Sequence, residues 1–212
     1  MKKILFLCLL AMLMPILVGC GGGGDSWSYY EADIYSDQPI DADIAYNSTQ
    51  RSYTITNGPN TLYFGIDDVD PNFPEYRAFL DFPLNGATGG AIVPVSARID
   101  SATLELFINE VSFASVVPSF IDLISYPLSG VRVVDFDSLP LKTQTVNFYP
   151  SDQGAIVAID ITPLMREAQW LGLADLQLRF VLDLAVNAGF IGIDDRPNVS
   201  VTAPLLRVKY ML

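Results

Sequence analysis

Apolar and polar residues alternate along most of this chain from about Ile34 onward, with Pro, Gly, Asn and Asp at the breaks. Ala102, Leu104, Leu106 and Ile108 share one face of an extended segment, with Thr103, Glu105 and Asn109 on the other. Leu176, Leu178, Phe180, Leu182 and Leu184 alternate with Gln177, Arg179 and Asp183. Leu206, Val208, Tyr210 and Leu212 alternate with Arg207 and Lys209, and Val157, Ile159 and Ile161 with Ala158 and Asp160. Shorter runs lie at Tyr53–Thr56, Leu62–Ile66, Tyr76–Phe82, Phe120–Tyr126, Val131–Phe136, Thr145–Tyr149 and Gly189–Ile193. Burial on one side of each strand predicts antiparallel sheets packed face to face. One helix interrupts them. Thr162 can cap it, Pro163 suits its first position, Leu164, Ala168 and Leu171 share a face, and Gly172 stops it. About nine helical residues cannot form a layer, so the expectation is one all-β sandwich over residues 31–212, with a short helix covering one end.

The N-terminus follows a different pattern. Lys2 and Lys3 precede about 15 almost wholly apolar residues, Ile4 to Val18, enough for a signal-peptide core and short for a membrane span. Leu17-Val18-Gly19-Cys20 then resembles the lipobox of bacterial lipoproteins, and Gly21–Gly24 follows as a loose coil. The resemblance implies cleavage before Cys20, acylation (palmitate) of that cysteine, and attachment to a lipid bilayer. Residues 1–19 read as signal peptide and 20–30 as lipidated tether. Each buried acyl CH₂ contributes about 0.8 kcal/mol, so two or more chains hold a protein stably at a membrane. Gly21 after the cysteine, where aspartate would signal retention, implies the outer membrane if the host is Gram-negative.

Composition narrows the chemistry. The 212 residues hold 24 Asp+Glu, 12 Lys+Arg, two cysteines and no histidine. Without histidine there is no Ser-His-Asp triad and no His-bearing metal site. A charge of −12, which becomes −14 once Lys2 and Lys3 leave, opposes binding to nucleic acid. Loss of Cys8 with the signal and lipidation of Cys20 would leave no thiol for a disulfide.

Two segments carry a resemblance in the body of the chain. Arg77-Ala-Phe-Leu-Asp-Phe-Pro-Leu84 and Ile99-Asp-Ser-Ala-Thr-Leu-Glu-Leu106 resemble the paired signature of the DNRLRE-type domain. That family is related to disaggregatase accessory domains and to one family of carbohydrate-binding modules. Ile159-Asp-Ile-Thr162, Leu176-Gln-Leu-Arg179 and Pro204-Leu-Leu-Arg-Val-Lys-Tyr210 follow in matching order. The resemblance spans roughly residues 40–212 and implies a jelly-roll sandwich of the kind appended to secreted enzymes or surface proteins.

The densest acidic stretch runs from Asp67 to Glu75. Asp68, Asp70 and Asn72 are spaced D-x-D-x-N, which sets three oxygen-bearing side chains around one turn as calcium loops do. Phe73 stands where an EF-hand needs glycine, and Phe79 where it needs its bidentate glutamate. This is no EF-hand; a looser structural calcium site and a plain solvated turn both remain open. Gly65-Ile66-Asp67-Asp68 is echoed by Gly192-Ile193-Asp194-Asp195. If both strands end at one rim, four carboxylates cluster there and need a cation or raised pKa values; otherwise the echo is coincidence.

Tyr and Trp stack on sugar rings while offering a polar edge, so exposed ones would suit a glycan. Trp27, Tyr29, Tyr30 and Tyr35 follow the tether, ready to form a first strand or to meet a partner. Trp170 on the helix is expected to pack. Ser112–Phe120 is apolar for a connection, and reads as a buried link or a patch for another subunit. These features favour a non-catalytic surface or periplasmic lipoprotein whose domain binds glycan or extracellular matrix. The rival is an assembly subunit of a cell-envelope complex with a protein partner. A polysaccharide hydrolase or lyase ranks third, because no carboxylate pair is selected by spacing.

Overall fold

A computed structural model describes residues 28–183, 189–197 and 201–212. Among them are twelve strands, all paired antiparallel, and one α-helix. The strands are β1 (Tyr29–Tyr35), β2 (Ala42–Asn47), β3 (Ser52–Asn57), β4 (Thr61–Ile66), β5 (Glu75–Pro83) and β6 (Arg98–Ser112). They continue with β7 (Val117–Ile124), β8 (Lys142–Phe148), β9 (Ile156–Asp160), β10 (Asp175–Leu182), β11 (Gly189–Asp194) and β12 (Leu205–Met211). The helix α1 is Thr162–Leu171.

Nine strands follow one another in the order β1-β12-β6-β11-β4-β5-β10-β7-β8 and curl into a half-barrel. The hairpin β2–β3 attaches to β5, and β9 to β6. β6 makes the curl continuous: its first part pairs with β12 and β9, and its last part with β11. Both of its junctions carry register shifts, at Gly192/Ile193 and Lys209/Tyr210, where strands bend and twist.

The inner face holds the main core, with Phe64, Leu80, Phe82, Leu104, Leu106, Ile108, Leu178, Phe180 and Leu206 all fully buried. Phe64 lies 5.6 Å from both Phe148 and Phe180 between ring centres. Each such side chain contributes roughly 1.5–3 kcal/mol by leaving water. α1 adds Leu164, Met165 and Ala168 and rests mainly on β6 and β8. Gly172 ends it in the left-handed conformation, φ 67°.

The expected cap differs in detail. Thr162 is the first helical residue, and its hydroxyl turns to accept the Ala102 N–H at 2.9 Å. The Thr162 N–H is taken by the Asp160 carboxylate at 2.9 Å. Val131–Phe136 is not a strand but a connection with a 3₁₀ turn at Val133–Asp135. β2 is an addition that the alternation did not reveal, and β1 starts at Tyr29, inside the segment read as tether. Trp170 is 80% exposed, which corrects the expectation that it packs.

Burial is also less one-sided than alternation implies. Arg77 to Pro83 of β5, Leu176 to Leu182 of β10 and all of β11 are buried. The outer faces of β5, β10 and β7 are roofed by the connection after β7, where Val131 and Phe136 pack on Ile44, Phe79 and Ile124 as a second core. The polar alternates are buried beneath that roof. Arg179 reaches Asp122 at 2.6 Å and donates to the carbonyls of Asp135 and Phe136 at 3.0 and 2.8 Å. Arg77 donates to the Phe136 carbonyl, stacks over the Phe136 ring at 3.9 Å and pairs with Glu75 and Asp137. Arg77 and Arg179 are thus both clamps on one loop.

Candidate functional site

An aromatic groove of about 400 Å³ opens on the outer side of β4 and β11, lined by Tyr63, Asp67, Val69, Tyr76, Glu110, Phe113 and Phe190. Strand register brings these residues together. Gly65 pairs with Phe190 on one side and with Tyr76 on the other, while Gly192 pairs with Tyr63 and with Glu110. Side chains of paired residues project to the same face, so Phe190 and Tyr76 flank Gly65, and Tyr63 and Glu110 flank Gly192. Tyr63 and Phe190 stack at 5.1 Å with ring planes 7° apart. Tyr76 meets Phe190 edge-on at 5.5 Å, and Phe113 leans on it at 6.2 Å.

The glycines make that packing possible. Gly65 has φ +105°, and a Cβ there would lie 2.2 Å from the Gly189 carbonyl oxygen. A Cβ on Gly192 would come within 3.2 Å of the Tyr63 ring. The Gly-Ile-Asp-Asp echo therefore has a structural meaning in its glycines. Its aspartates do not share a rim: β4 and β11 run antiparallel, with Ile66 opposite Gly189 and Thr61 opposite Asp194. Asp67 and Asp68 lie at one end of this pair and Asp194 and Asp195 at the other, so the four carboxylates are not gathered.

The groove is acidic and its phenols stay protonated. Burial, followed by the charges of Glu110 and Asp43, raises the Tyr63 hydroxyl above its usual range. Burial, followed by Asp43, Asp67 and Asp70, does the same for Tyr76. Both remain donors at neutral pH, beside the acceptor carboxylates Asp67 and Glu110. Asp43 supports Tyr63 from below, accepting its backbone N–H at 3.2 Å, and burial pushes the Asp43 carboxyl up to about 6. Glu110 accepts from the Ser112 hydroxyl at 2.6 Å.

Asp68, Asp70 and Asn72 sit in the turn at the edge of this groove. Asp68 is exposed, and the Asp70 carboxylate accepts both the backbone and the side-chain N–H of Asn72 at 2.8 and 2.9 Å. Asp67 accepts from Val69 and Asp70 at 2.9 and 3.3 Å, so the turn is held by its own hydrogen bonds. Among the described residues, no three acidic, His or Cys side chains converge as a metal set.

The Ser112–Phe120 segment divides. Val117 is buried in β7, while Phe113, at φ +68°, turns its ring into the groove. Tyr29 to Tyr35 form the first strand, on which Tyr30 stacks with Tyr210 at 5.6 Å. Cys20 and Trp27 lie outside the described residues. Among those described, no helix is long and apolar enough to cross a membrane. Sequence reasoning missed the groove because its lining comes from four strands and two turns. The available signal was the glycine repeat beside Tyr63 and Phe190.

No protein-family profile matches the chain, and a search of curated proteins finds no similar sequence. What stands on structure is an all-antiparallel β domain with a strongly curled sheet and one short helix.

Proposed function

We propose that this chain is a membrane-anchored, non-catalytic cell-envelope lipoprotein of the jelly-roll, DNRLRE-like kind, whose domain binds glycan in the aromatic groove. The observation that carries this reading is the cluster Tyr63, Tyr76, Phe113 and Phe190 beside Asp67 and Glu110. Sugar rings present apolar C–H faces to aromatic rings and hydroxyls to carboxylates and phenols, which is the mixture the groove offers. Its negative charge favours neutral or amino sugars over acidic polysaccharides. Acylated Cys20 and the glycine tether would hold the groove at a bilayer surface, the outer membrane in a Gram-negative host.

Glycan-array screening of the whole chain tests the groove. Binding that disappears in Tyr63→Ala and Tyr76→Ala, with folding intact, supports the reading; binding indifferent to both removes it. Labelled palmitate incorporated by the chain but not by Cys20→Ser tests the anchor. A second reading, an assembly subunit with a protein partner, draws on β3, an outlying strand paired only with β2 and exposed along most of its length. Co-purification of a stable partner, lost on introducing proline into β3, would favour it.

A further inference from the structure

A second cluster lies at the opposite end of β11 from the acidic turn, and no step above uses it. Asp195, just after β11, and Asp41, just before β2, are both completely buried, and their carboxyl groups face each other within hydrogen-bonding reach. Ser36, also buried, lies beside both. Asp41 Oδ1 accepts the Asp81 N–H at 2.7 Å, whereas Asp41 Oδ2 and both oxygens of Asp195 receive no N–H and have only each other and the Ser36 hydroxyl within reach. Two further buried groups nearby lack a hydrogen-bond partner. Asp81 Oδ2 has no donor either, and the Tyr126 hydroxyl, which feels Asp41 first and Asp81 next among charges, has no partner.

Among the described residues, no basic side chain pairs with Asp41, Asp81 or Asp195. The Asp194 carboxylate next door pairs with the largely exposed Arg196 at 3.4 Å, while Gln177 gives Asp81 one neutral donor at 2.9 Å. Buried carboxylates without donors or countercharge are costly, and a cation satisfies several such oxygens at once. Backbone bonds fix the surrounding loops: Ser36 N–H to Pro204 O at 3.1 Å, Gly58 N–H to Asp41 O at 2.8 Å and Asp195 N–H to Asn60 O at 3.0 Å. Three connections therefore meet at this point, β1–β2, β3–β4 and β11–β12.

We propose that Asp41, Asp195 and Ser36 form a calcium site that pins these three connections together. The pair supplies three carboxylate oxygens that receive no N–H, and Ser36 a hydroxyl; water and main-chain oxygens complete the six to eight ligands that calcium takes. Asp81 Oδ2 and the Tyr126 hydroxyl are placed to hold such water. An oxygen-only, histidine-free set suits a hard cation and not zinc. The site is separate from the acidic turn at Asp68–Asn72, where Asp68 is exposed and the Asp70 carboxylate is already held by Asn72.

Calorimetry of the whole chain after chelation, titrated with calcium chloride alone, tests the assignment. One bound calcium is expected, with melting raised by roughly 5–10 °C at a hundredfold excess over Kd. Asp195→Asn should weaken binding at least a hundredfold and Ser36→Ala several-fold, whereas Asp68→Asn should leave it unchanged. No heat and no melting shift at millimolar calcium would overturn the site, as would binding that Asp68→Asn abolishes and Asp195→Asn spares. If Asp195→Asn does not fold, Ser36→Ala and direct metal analysis of the unsubstituted chain decide. Because the probe is calcium without sugar, the result is independent of glycan binding in the groove.

Discussion

The guanidinium of Arg179 on β10 lies 2.6 Å from the carboxylate of Asp122 on β7, with both side chains almost completely removed from water. The same guanidinium satisfies two carbonyls of the roofing loop. Removing one partner strands a buried charge, which costs about 3–5 kcal/mol. Asp122→Ala and Arg179→Ala should each destabilise the domain by that amount in chemical denaturation. The double substitution should cost clearly less than the sum, since the stranded charge is then gone. Arg179→Lys should recover only part of the loss, because one ammonium cannot reach Asp122, Asp135 and Phe136 together.

This clamp also explains what the alternation could and could not reveal. The period-2 pattern of Leu176 to Leu182 placed the strand correctly, because the apolar half faces the main core. The other half, Gln177 and Arg179, reads as solvent-facing in any one-sided sheet. Their burial depends on a roof whose contacts with Arg179 lie 43 and 44 positions away in the chain, and hydropathy of a single strand carries no information about it. Val131–Phe136 looked like a strand for the same reason: Val131 and Phe136 pack downward as a lid, without a ladder, while Val133 and Val134 face solvent. The groove was still less legible, since Tyr63, Phe113 and Phe190 become neighbours only through register. Gly65 and Gly192, conspicuous in the repeat, were the trace it left.

Gly65 is the position where substitution should be most damaging to the groove. A methyl group there meets the Gly189 carbonyl oxygen at 2.2 Å, and φ +105° is strained for any side chain. Gly65→Ala is expected to destabilise by about 3 kcal/mol or more, read by denaturant midpoint. Gly192→Ala, where the contact is 3.2 Å from the Tyr63 ring edge, should cost closer to about 1 kcal/mol. Its larger effect should be on ligand affinity, through displacement of Tyr63.

The ring pair Tyr63–Phe190 separates binding from folding. Aromatic pairs contribute about 0.5–1.5 kcal/mol beyond the area they bury. Tyr63→Phe keeps the stack and loses only the hydroxyl, so stability should change little while glycan affinity falls. Tyr63→Ala should lower stability measurably and reduce glycan affinity by at least about tenfold, roughly the 1.4 kcal/mol of one ring contact. Equal affinities for Phe and Ala at this position would show that the ring face makes no contact with sugar.

The pH dependence of the helix start follows from Asp160. Its hydrogen bonds with Thr162, through side chain and backbone, hold the carboxyl below its usual value. A carboxyl with a depressed folded-state pKa stabilises the fold above its unfolded value near 3.8, and that contribution disappears as pH falls through the lower folded value. Asp160→Ala should therefore cost about 1 kcal/mol between pH 6 and 8, the usual effect of losing an acceptor at a helix N-terminus. The deficit should shrink as pH drops below about 4. Asp160→Asn retains an acceptor for the Thr162 N–H but no charge, so it should fall between the two at neutral pH and match the unsubstituted chain in acid. Melting curves of the three proteins across pH 2.5–8 decide the matter: an Asp160→Ala deficit that stays constant into acid would mean that hydrogen-bond geometry alone, and not the ionised carboxylate, starts the helix.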